Sequence, residues 1–216
     1  MKERTGTVPN KNLLFVGITG GIGAGKTTVI EYIKAHYPAR ILSADEIAKD
    51  FCKPGGECYD DLRRAFSDTS YWNADGTMNR ETFTAEVFSD EEKRNRLNAI
   101  VHPAVNRYII KEFEKEKQTG EHDYLILEAA LLIEAHYDEI CDELWYVYAS
   151  EDTRRERLMR TRGYSKEKTD QIMKSQLPEN RFHHVCERVI DNNGSEEEMI
   201  ASIRKVFDEV NKPPAP

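Results

Sequence analysis

The sequence has few cysteines, and their spacing argues against a metal site. Its four cysteines, Cys52, Cys58, Cys141 and Cys186, form no C-x-x-C pair and have no paired histidines nearby. A structural zinc site needs a cluster of thiolate and imidazole ligands. We therefore expect no zinc site, and we interpret the cysteines as the reduced thiols of a cytosolic protein.

Long apolar runs are also lacking. No stretch of the sequence approaches the ~20 apolar residues that a membrane-spanning helix requires. Residues 1–12 are polar and do not contain the apolar segment of a secretion signal. The sequence thus predicts a cytoplasmic protein that does not bind a membrane.

The sequence also lacks an excess of positive charge. The chain carries 31 Lys and Arg against 39 Asp and Glu, which gives a net charge of -8. Nucleic acids are bound through basic surfaces, so the negative sum disfavours them as partners. We therefore expect no nucleic-acid partner. Any anionic ligand would be held by local clusters of Lys and Arg. We also expect a monomer or a weak homo-oligomer.

The most informative stretch that is present is GITGGIGAGKTT, residues 17–28, which contains the P-loop pattern G-x-x-x-x-G-K-T. Glycines let the backbone turn its N–H groups inward, and the helix that follows adds the positive end of its dipole. Lys26 can reach the β- and γ-phosphates, while the Thr27 hydroxyl is placed to bind Mg²⁺. A glycine-rich turn without a ligand is the alternative, which the strand before and the helix after disfavour. The predicted triphosphate site comprises Gly21, Ile22, Gly23, Ala24, Gly25, Lys26, Thr27 and Thr28.

Hydrophobic patterns along the rest of the chain predict an α/β protein with a P-loop NTPase fold. Short apolar runs alternate with helical patterns, which is typical of a mostly parallel sheet with helices on both faces. Ligands of such sheets bind at the carboxyl ends of the strands. The five predicted strands are residues 13–19, 39–43, the first half of 124–133, 144–149 and 189–191.

One domain is expected over residues 13–211, because the chain is short for two ordinary domains. Residues 46–119 show helical patterns without a convincing strand, which predicts a helical lobe inserted between strands. A charged helical segment, residues 154–185, is expected to form a lid. The other predicted parts are a core of residues 13–45, 120–153 and 186–211, and tails at residues 1–12 and 212–216.

Several helix ends are predicted from capping residues. Ser43, Ser89 and Ser195 each precede a glutamate by three residues, the form of a capping box. His102-Pro103 predicts a break between two helices, because proline lacks the N–H that a helix interior uses. The last helix is expected to bury Met199, Ile203, Val206 and Val210.

Two carboxylates follow predicted strands, where side chains of this fold reach the ligand cleft. Asp45 lies two residues after the second strand, and its position alone fits either a general base or an acidic residue that favours the helix dipole. Glu128 ends the third strand, where it would either hold Mg²⁺ through water or form a buried ion pair. Both readings stay open for each residue.

A strongly basic run, RRERLMRTRGYSKEK, occupies residues 154–168 after the fourth strand. Charge runs are usually solvated helix faces. Kinases of the nucleoside-monophosphate type carry an arginine-bearing lid at this point, which favours contact with phosphate. The neighbouring pair His183-His184 lacks carboxylate or cysteine partners, so we interpret both histidines as surface residues.

With these stretches in view, the chain resembles the dephospho-coenzyme A kinase family over nearly its whole length. The ordered set of similar motifs, rather than the P-loop alone, makes the resemblance specific. The similar elements are the P-loop, Ala44-Asp45, Asp75-Gly76-Thr77 with Arg80, LNAIVHP at residues 97–103, LLIE at residues 131–134, Arg157-Leu158-Met159, Gln176 and VIDN at residues 189–192.

The resemblance implies ATP-dependent phosphorylation of the ribose 3′-hydroxyl of dephospho-CoA, the last step of coenzyme A synthesis. It implies ATP as co-substrate and Mg²⁺ as cofactor. Its implied catalytic residues are Lys26, Asp45 and Arg157. ATP would be held by the P-loop together with Arg157, Arg160 and Arg162.

The resemblance also implies where the acceptor and the metal bind. The helical lobe would hold the acceptor through Asp45, Arg80, Asn98, His102 and Arg107. Thr27 would bind the metal directly, and Glu128 would do so through water.

Three positions depart from the family pattern. Ser43 replaces the first Asp of an Asp-Ala-Asp element, which suggests that only Asp45 is indispensable. Ala130 stands where the family usually has proline. Thr161 replaces the second lid arginine and is flanked by Arg160 and Arg162, either of which would reach ATP.

Two other functions fit the same motifs. One is another small-molecule kinase of this fold, such as a shikimate, gluconate or nucleoside-monophosphate kinase. The other is a nucleotide-binding switch without an acceptor substrate. The lid arginines and the large helical lobe disfavour the switch.

Overall fold

The computed structural model of the protein describes residues 13–129 and 131–212. Within these residues the chain divides into two compact units, one made of residues 13–41 and the described part of 116–212, and the other of residues 42–115. The predicted tail at residues 1–12, and all but Lys212 of the second tail, lie outside the described residues. The predicted division into core, lobe and lid stays a prediction.

A five-stranded sheet forms the centre of the fold, which confirms the predicted α/β class. Its strand order is β2-β3-β1-β4-β5. β1 pairs in parallel with β3 and β4, and β4 pairs in parallel with β5. The strands are β1 (Leu14–Thr19), β2 (Ala39–Ser43), β3 (Tyr124–Glu128), β4 (Glu143–Tyr148) and β5 (Arg188–Asp191).

Helices occupy most of the remaining described chain. The first unit contains α1 (Lys26–His36), α6 (Glu151–Arg162), α7 (Lys166–Lys174), α8 (Glu179–Val185) and α9 (Glu196–Val210). The second contains α2 (Ala44–Phe51), α3 (Tyr59–Ala65) and α4 (Arg80–Ser89), while α5 (Glu91–Thr119) begins there and ends in the first. In the described range, no helix is both long and apolar enough to cross a bilayer.

The core of the first unit explains why β1 is the central strand. Val16 and Ile18 of β1 are fully buried, as is Trp145 of β4. Such continuous apolar strands need cover on both faces, which parallel sheets receive from their helices. Phe207 of α9 provides much of this cover, because its ring stacks on Tyr37 and meets Trp145 edge to face at a centroid distance of 5.1 Å.

The beginning of α9 is held as its sequence predicts. Glu198 N donates to Ser195 Oγ at 3.3 Å, and Ser195 N donates to Glu198 Oε2 at 2.7 Å, so both halves of the capping box are formed. Three of the four residues predicted to be buried are buried. Val210 is partly exposed, and Phe207 takes the core position instead.

The helical unit differs from the prediction at the start of α5. Asp90 Oδ1 accepts from Lys93 N at 3.0 Å, so Asp90 is the residue whose side chain caps the helix. Ser89 was predicted to do this and does not. It ends α4, and its hydroxyl donates back to Ala85 O at 2.9 Å.

The predicted break at His102-Pro103 is also wrong, because α5 runs without interruption from Glu91 to Thr119. A proline inside a helix leaves the carbonyl four residues earlier without its N–H donor. The residues around it compensate by burial: Val101, Val105 and Ile109 are at most 7% exposed. Packing of this face therefore outweighs the local cost of the proline.

All four cysteines are free thiols in the described chain, as predicted. Burial raises the pKa of Cys52 to about 11, and it raises the pKa values of Cys141 and Cys186 to about 12. Thiols with such pKa values stay protonated near neutral pH and react slowly. The cysteines are therefore packing residues of the fold.

Replacing the proline inside α5 should stabilise the protein. Alanine at position 103 restores an N–H donor for Ala99 O and removes the ring, so Pro103→Ala should raise the free energy of unfolding by about 1 kcal/mol or more. Urea denaturation measures this change. Gln118→Ala, at an exposed position of the same helix, is the control and should stay within about 0.5 kcal/mol of the parent. An unchanged or lower stability of Pro103→Ala would show that the helix is built around the proline.

Candidate active site

The P-loop joins the end of β1 to the start of α1. Gly23 and Gly25 have φ angles of +81° and +87°, in the left-handed region that glycine adopts without strain. Ala24 N donates to Gly21 O at 3.0 Å, which closes a tight turn between them. Lys26 Nζ donates across the loop to Gly20 O at 2.7 Å. The loop thus has the compact, glycine-dependent shape that the motif predicts.

The first turn of α1 favours an anion. Thr27 and Thr28 are exposed there, and the turn contains no acidic side chain. The N–H groups at a helix start carry a partial positive charge, which an acidic residue would otherwise offset. A phosphate group at this point would therefore meet uncompensated donors.

One cavity of about 590 Å³ lies against the P-loop. It brings together the loop, the end of β3, one side of α6 and the beginning of α9. The predicted ATP and metal residues that line it are Gly21, Ile22, Gly23, Gly25, Lys26, Thr27, Thr28, Glu128, Arg157, Arg160 and Arg162. Ala24, the remaining predicted residue, is a buried residue of the loop with 1% exposure.

Helix α6 brings three arginines to this cavity. Arg157 Nη1 donates to the P-loop carbonyl Ala24 O at 3.4 Å, so this side chain already contacts the loop. Arg160 and Arg162 are exposed, and Arg160 forms an ion pair of 3.5 Å with Glu156 on the helix surface. In an acidic protein, this cluster supplies the local positive charge that a polyphosphate needs.

The cavity also contains oxygen ligands suited to Mg²⁺. Glu128 ends β3 and is half-buried, while Thr27 presents its hydroxyl at the start of α1. Both line the same cavity. Mg²⁺ prefers hard oxygen ligands and keeps several waters, so one hydroxyl and one carboxylate are a suitable set.

Three polar residues at the P-loop were not predicted as site residues. Asn192 is 6% exposed and donates from Nδ2 to Ala24 O at 2.7 Å. Gln176 Oε1 accepts from Ile22 N at 3.0 Å and from Arg154 Nη1 at 3.3 Å. Asn192 follows β5 directly, at the carboxyl end of a parallel strand, and that position was a usable signal. Arg154 was visible only as one member of the basic run.

Asp45 lies in the helical unit, in the first turn of α2. The N-cap of this helix is Ser43, whose Oγ accepts from Glu46 N at 3.4 Å. The side chain of Asp45 is therefore not the cap. It is exposed, and within its own described unit it forms no hydrogen bond or ion pair. A role for Asp45 in the helix dipole and a role with substrate both remain compatible with this position.

The other predicted acceptor residues lie on α4 and α5. Asn98 and His102 are one turn apart on α5 and both are half-buried, so they share a face. Burial lowers the pKa of His102 below its ordinary value, which favours the neutral imidazole. Arg80 begins α4 and is exposed. Arg107 lies about two and a half turns beyond Asn98, so it is on the opposite side of the helix, where it pairs with Glu57 at 2.7 Å.

The histidine pair was predicted to lie at the surface, and both residues are exposed. His183 lies against the ring of Tyr146 with centroids 5.2 Å apart, and its Nε2 is 3.6 Å from Glu179 Oε1. These contacts belong to the packing of α8 on the sheet.

Comparison with known proteins identifies the family. The dephospho-CoA kinase family matches residues 14–198 of the chain. This chain belongs to the dephospho-CoA kinase family. A dephospho-CoA kinase of Oceanobacillus iheyensis is 34% identical to it over 200 residues, which cover 92% of this chain and 98% of that protein.

Solved structures show the same fold. A crystal structure of a Thermus thermophilus protein is 28% identical and superposes with a TM-score of 0.78, covering 94% of this chain and 100% of that one. The dephospho-CoA kinase of Campylobacter jejuni, 20% identical, has a TM-score of 0.69 and covers 92% and 97% of the two chains. The predicted family and the predicted P-loop kinase fold are both confirmed.

Two of the three departures from the dephospho-CoA kinase pattern have a structural account. Ser43 caps α2, which is a function that aspartate also performs. Thr161 Oγ1 donates to Arg157 O at 2.7 Å, so its side chain is bound to its own helix. Ala130 lies outside the described residues.

Substitution of Gly25 by any larger residue should disturb the P-loop. A Cβ at Gly25 would overlap Asn192 Nδ2, whereas a Cβ at Gly55, with a similar φ of +82°, would meet no atom within 4 Å. Both alanine variants carry the strain of a left-handed residue, about 1–2 kcal/mol. Only Gly25→Ala should also displace the P-loop and weaken ATP binding, by about 10-fold or more. Equilibrium ATP binding by the two variants tests this, and equal binding would contradict the role of the Asn192 contact.

Proposed function

We propose that this protein transfers the γ-phosphoryl group of ATP to the ribose 3′-hydroxyl of dephospho-CoA, which produces coenzyme A and ADP in the final step of coenzyme A biosynthesis. The observation that carries the proposal is the cavity at the P-loop, where Lys26 and three arginines of α6 surround the start of α1. Membership of the dephospho-CoA kinase family supports the choice of acceptor.

In the proposed mechanism, the chain stabilises charge on the transferred group. Phosphoryl transfer proceeds through a loose transition state, whose charge is spread over the phosphoryl oxygens. The P-loop N–H groups and Lys26 would bind those oxygens, and Arg157 would approach from α6. Arg160 and Arg162 are exposed at the same cavity, and either can close over the phosphates. Donors that are in place before reaction lower the barrier without reorganisation.

The metal in this proposal is Mg²⁺, held by the Thr27 hydroxyl and, through water, by the Glu128 carboxylate. When bound, it would neutralise charge on the phosphates. The geometry around Glu128 supports this role over a buried ion pair, because Glu128 lines the cavity and forms no ion pair with another described residue.

The acceptor side of the reaction is assigned to the helical unit. Asp45 would orient the ribose hydroxyl and accept its proton. Its carboxylate is exposed and forms no ion pair within its own described unit, which suits it to this role. Asn98 and His102 would contact the acceptor from one face of α5. Arg80 would bind its anionic groups. Arg107, on the opposite side of α5, would bind only an anionic group of the acceptor that reaches around the helix, and it would release Glu57 to do so.

We further propose that the protein acts in the cytoplasm as a monomer or weak homo-oligomer, with small molecules rather than nucleic acid or membranes as partners. The reduced thiols and the acidic net charge support this.

The proposed reaction can be tested by ADP release. With Mg²⁺ and ATP present, release should require dephospho-CoA, and shikimate, gluconate or a nucleoside monophosphate should not replace it. Lys26→Ala should abolish the reaction because the lysine supplies charge where it develops. Lys34→Ala, an exposed lysine on the same helix, should leave the rate unchanged. Release with another acceptor would favour a different kinase of the fold, and acceptor-independent release would favour a nucleotide-binding switch.

A second experiment separates the two roles of Asp45. Asparagine keeps the size of the side chain but removes its charge, so Asp45→Asn should lower kcat by about 100-fold or more if Asp45 binds the hydroxyl. Stability should change by well under about 1 kcal/mol in either case. Asp50→Asn, an exposed position near the end of the same helix, is the matched control and should keep normal turnover. Near-normal turnover of Asp45→Asn would show that Asp45 only interacts with the dipole of α2.

A further inference from the structure

Arg154 of α6 and Gln176, which follows α7, form a bridge to the P-loop. Gln176 lies two residues after the end of α7, and Arg154 lies in the first turn of α6. One oxygen, Gln176 Oε1, accepts from both Ile22 N at 3.0 Å and Arg154 Nη1 at 3.3 Å. The glutamine thus links a backbone donor of the loop to a cation on α6.

The loop rests directly on Arg154. A Cβ at Gly21 would overlap Arg154 Nη1, and a Cβ at Gly23 would lie 2.9 Å from Arg154 O. Only glycine at these two positions allows the loop to approach α6 so closely. The contact therefore depends on Gly21 and Gly23, which lie at variable positions of the motif, between its required Gly20 and Gly25.

Arg154 is unusual because it is a charged residue that is buried. Its side chain is 9% exposed, its Nε has no hydrogen-bond partner, and it forms no ion pair with another described residue. Burial of an uncompensated cation is costly to folding. Such a group is expected where a positive potential is needed, and here it adjoins the backbone of an anion-binding loop.

Neither residue belongs to the described lining of the nucleotide cavity, although Ile22, whose N–H the bridge holds, does. The bridge therefore contacts the loop from outside the described lining of the cavity. We propose that Arg154 and Gln176 are positioning residues, which hold the P-loop in its anion-binding shape before the nucleotide arrives. The inference rests on the proposed function in one respect, since ATP is taken as the anion.

Removal of the glutamine oxygen tests the bridge in the protein without nucleotide. In Gln176→Ala, amide hydrogen exchange across residues 20–25 should become about 10-fold faster, because the loop opens more often once the bond is lost. The KM for ATP should rise by about 10-fold, while kcat should stay within about 3-fold, because bound nucleotide itself orders the loop. Gln171→Ala, at an exposed position on α7, is the matched control and should change neither quantity.

Two further variants separate positioning from simple packing. Gln176→Glu keeps an acceptor oxygen at the same place, so it should restore slow exchange and near-normal KM for ATP. Arg154→Met replaces a buried, unpaired cation by an apolar chain, so its melting temperature should not fall. Its KM for ATP should nevertheless rise by about 10-fold, because the positive potential behind the loop is lost. Combined with Arg154→Met, Gln176→Glu should no longer rescue, since its carboxylate then has no cation.

The outcomes distinguish the inference from the proposed function. Unchanged loop exchange in Gln176→Ala, or a lower melting temperature of Arg154→Met with normal KM for ATP, would overturn the positioning role. If the parent protein failed to bind ATP, the proposed function would fail. The loop exchange of the nucleotide-free variants would still decide the bridge.

Discussion

The structure of the candidate site depends on one constraint, which is that the backbone of the P-loop is held in place by side chains from distant parts of the chain. β1 supplies the foundation, because it is buried in the middle of the sheet between β3 and β4. Side chains from later parts of the chain supply the rest. Asn192 and Arg157 donate to Ala24 O, and Gln176 accepts from Ile22 N. The loop is thus fixed at two backbone positions before phosphate binds, which reduces the ordering cost of binding.

The distribution of charge also favours anion binding at the P-loop. The chain is acidic overall, yet the described cavity at the loop is lined by Lys26 and by arginines of α6. The start of α1 lacks acidic side chains, and Arg154 adds a buried positive charge behind the loop. An anion therefore meets a focused positive potential on a molecule that otherwise repels it. The local arrangement, rather than the net charge, determines what binds.

The errors of prediction share a physical cause with the residues that were missed. Pro103 reads as a helix break because local rules describe the backbone alone, whereas burial of the α5 face keeps the helix continuous. Ser89 has the spacing of a cap, but it is already the last residue of α4. Gln176 and Ile22 are 154 positions apart, so no local pattern could pair them. The outcomes at Pro103 and Gln176 depend on tertiary contacts that override or lie beyond short-range preferences, whereas the outcome at Ser89 depends on the neighbouring helix end.

By itself, the sequence determined the P-loop, the strand and helix alternation, the capped start of α9 and the family, because these depend on spacing and side-chain chemistry within short segments. The high density of arginine in residues 154–162 also indicated that α6 contributes positive charge to the site. Only the tertiary structure decided that Arg157 contacts the loop, that Glu128 and Thr27 share a cavity, and that Arg154 is buried rather than solvated. These facts follow from how distant segments pack, and the burial of a charged side chain cannot be derived from its neighbours in the chain.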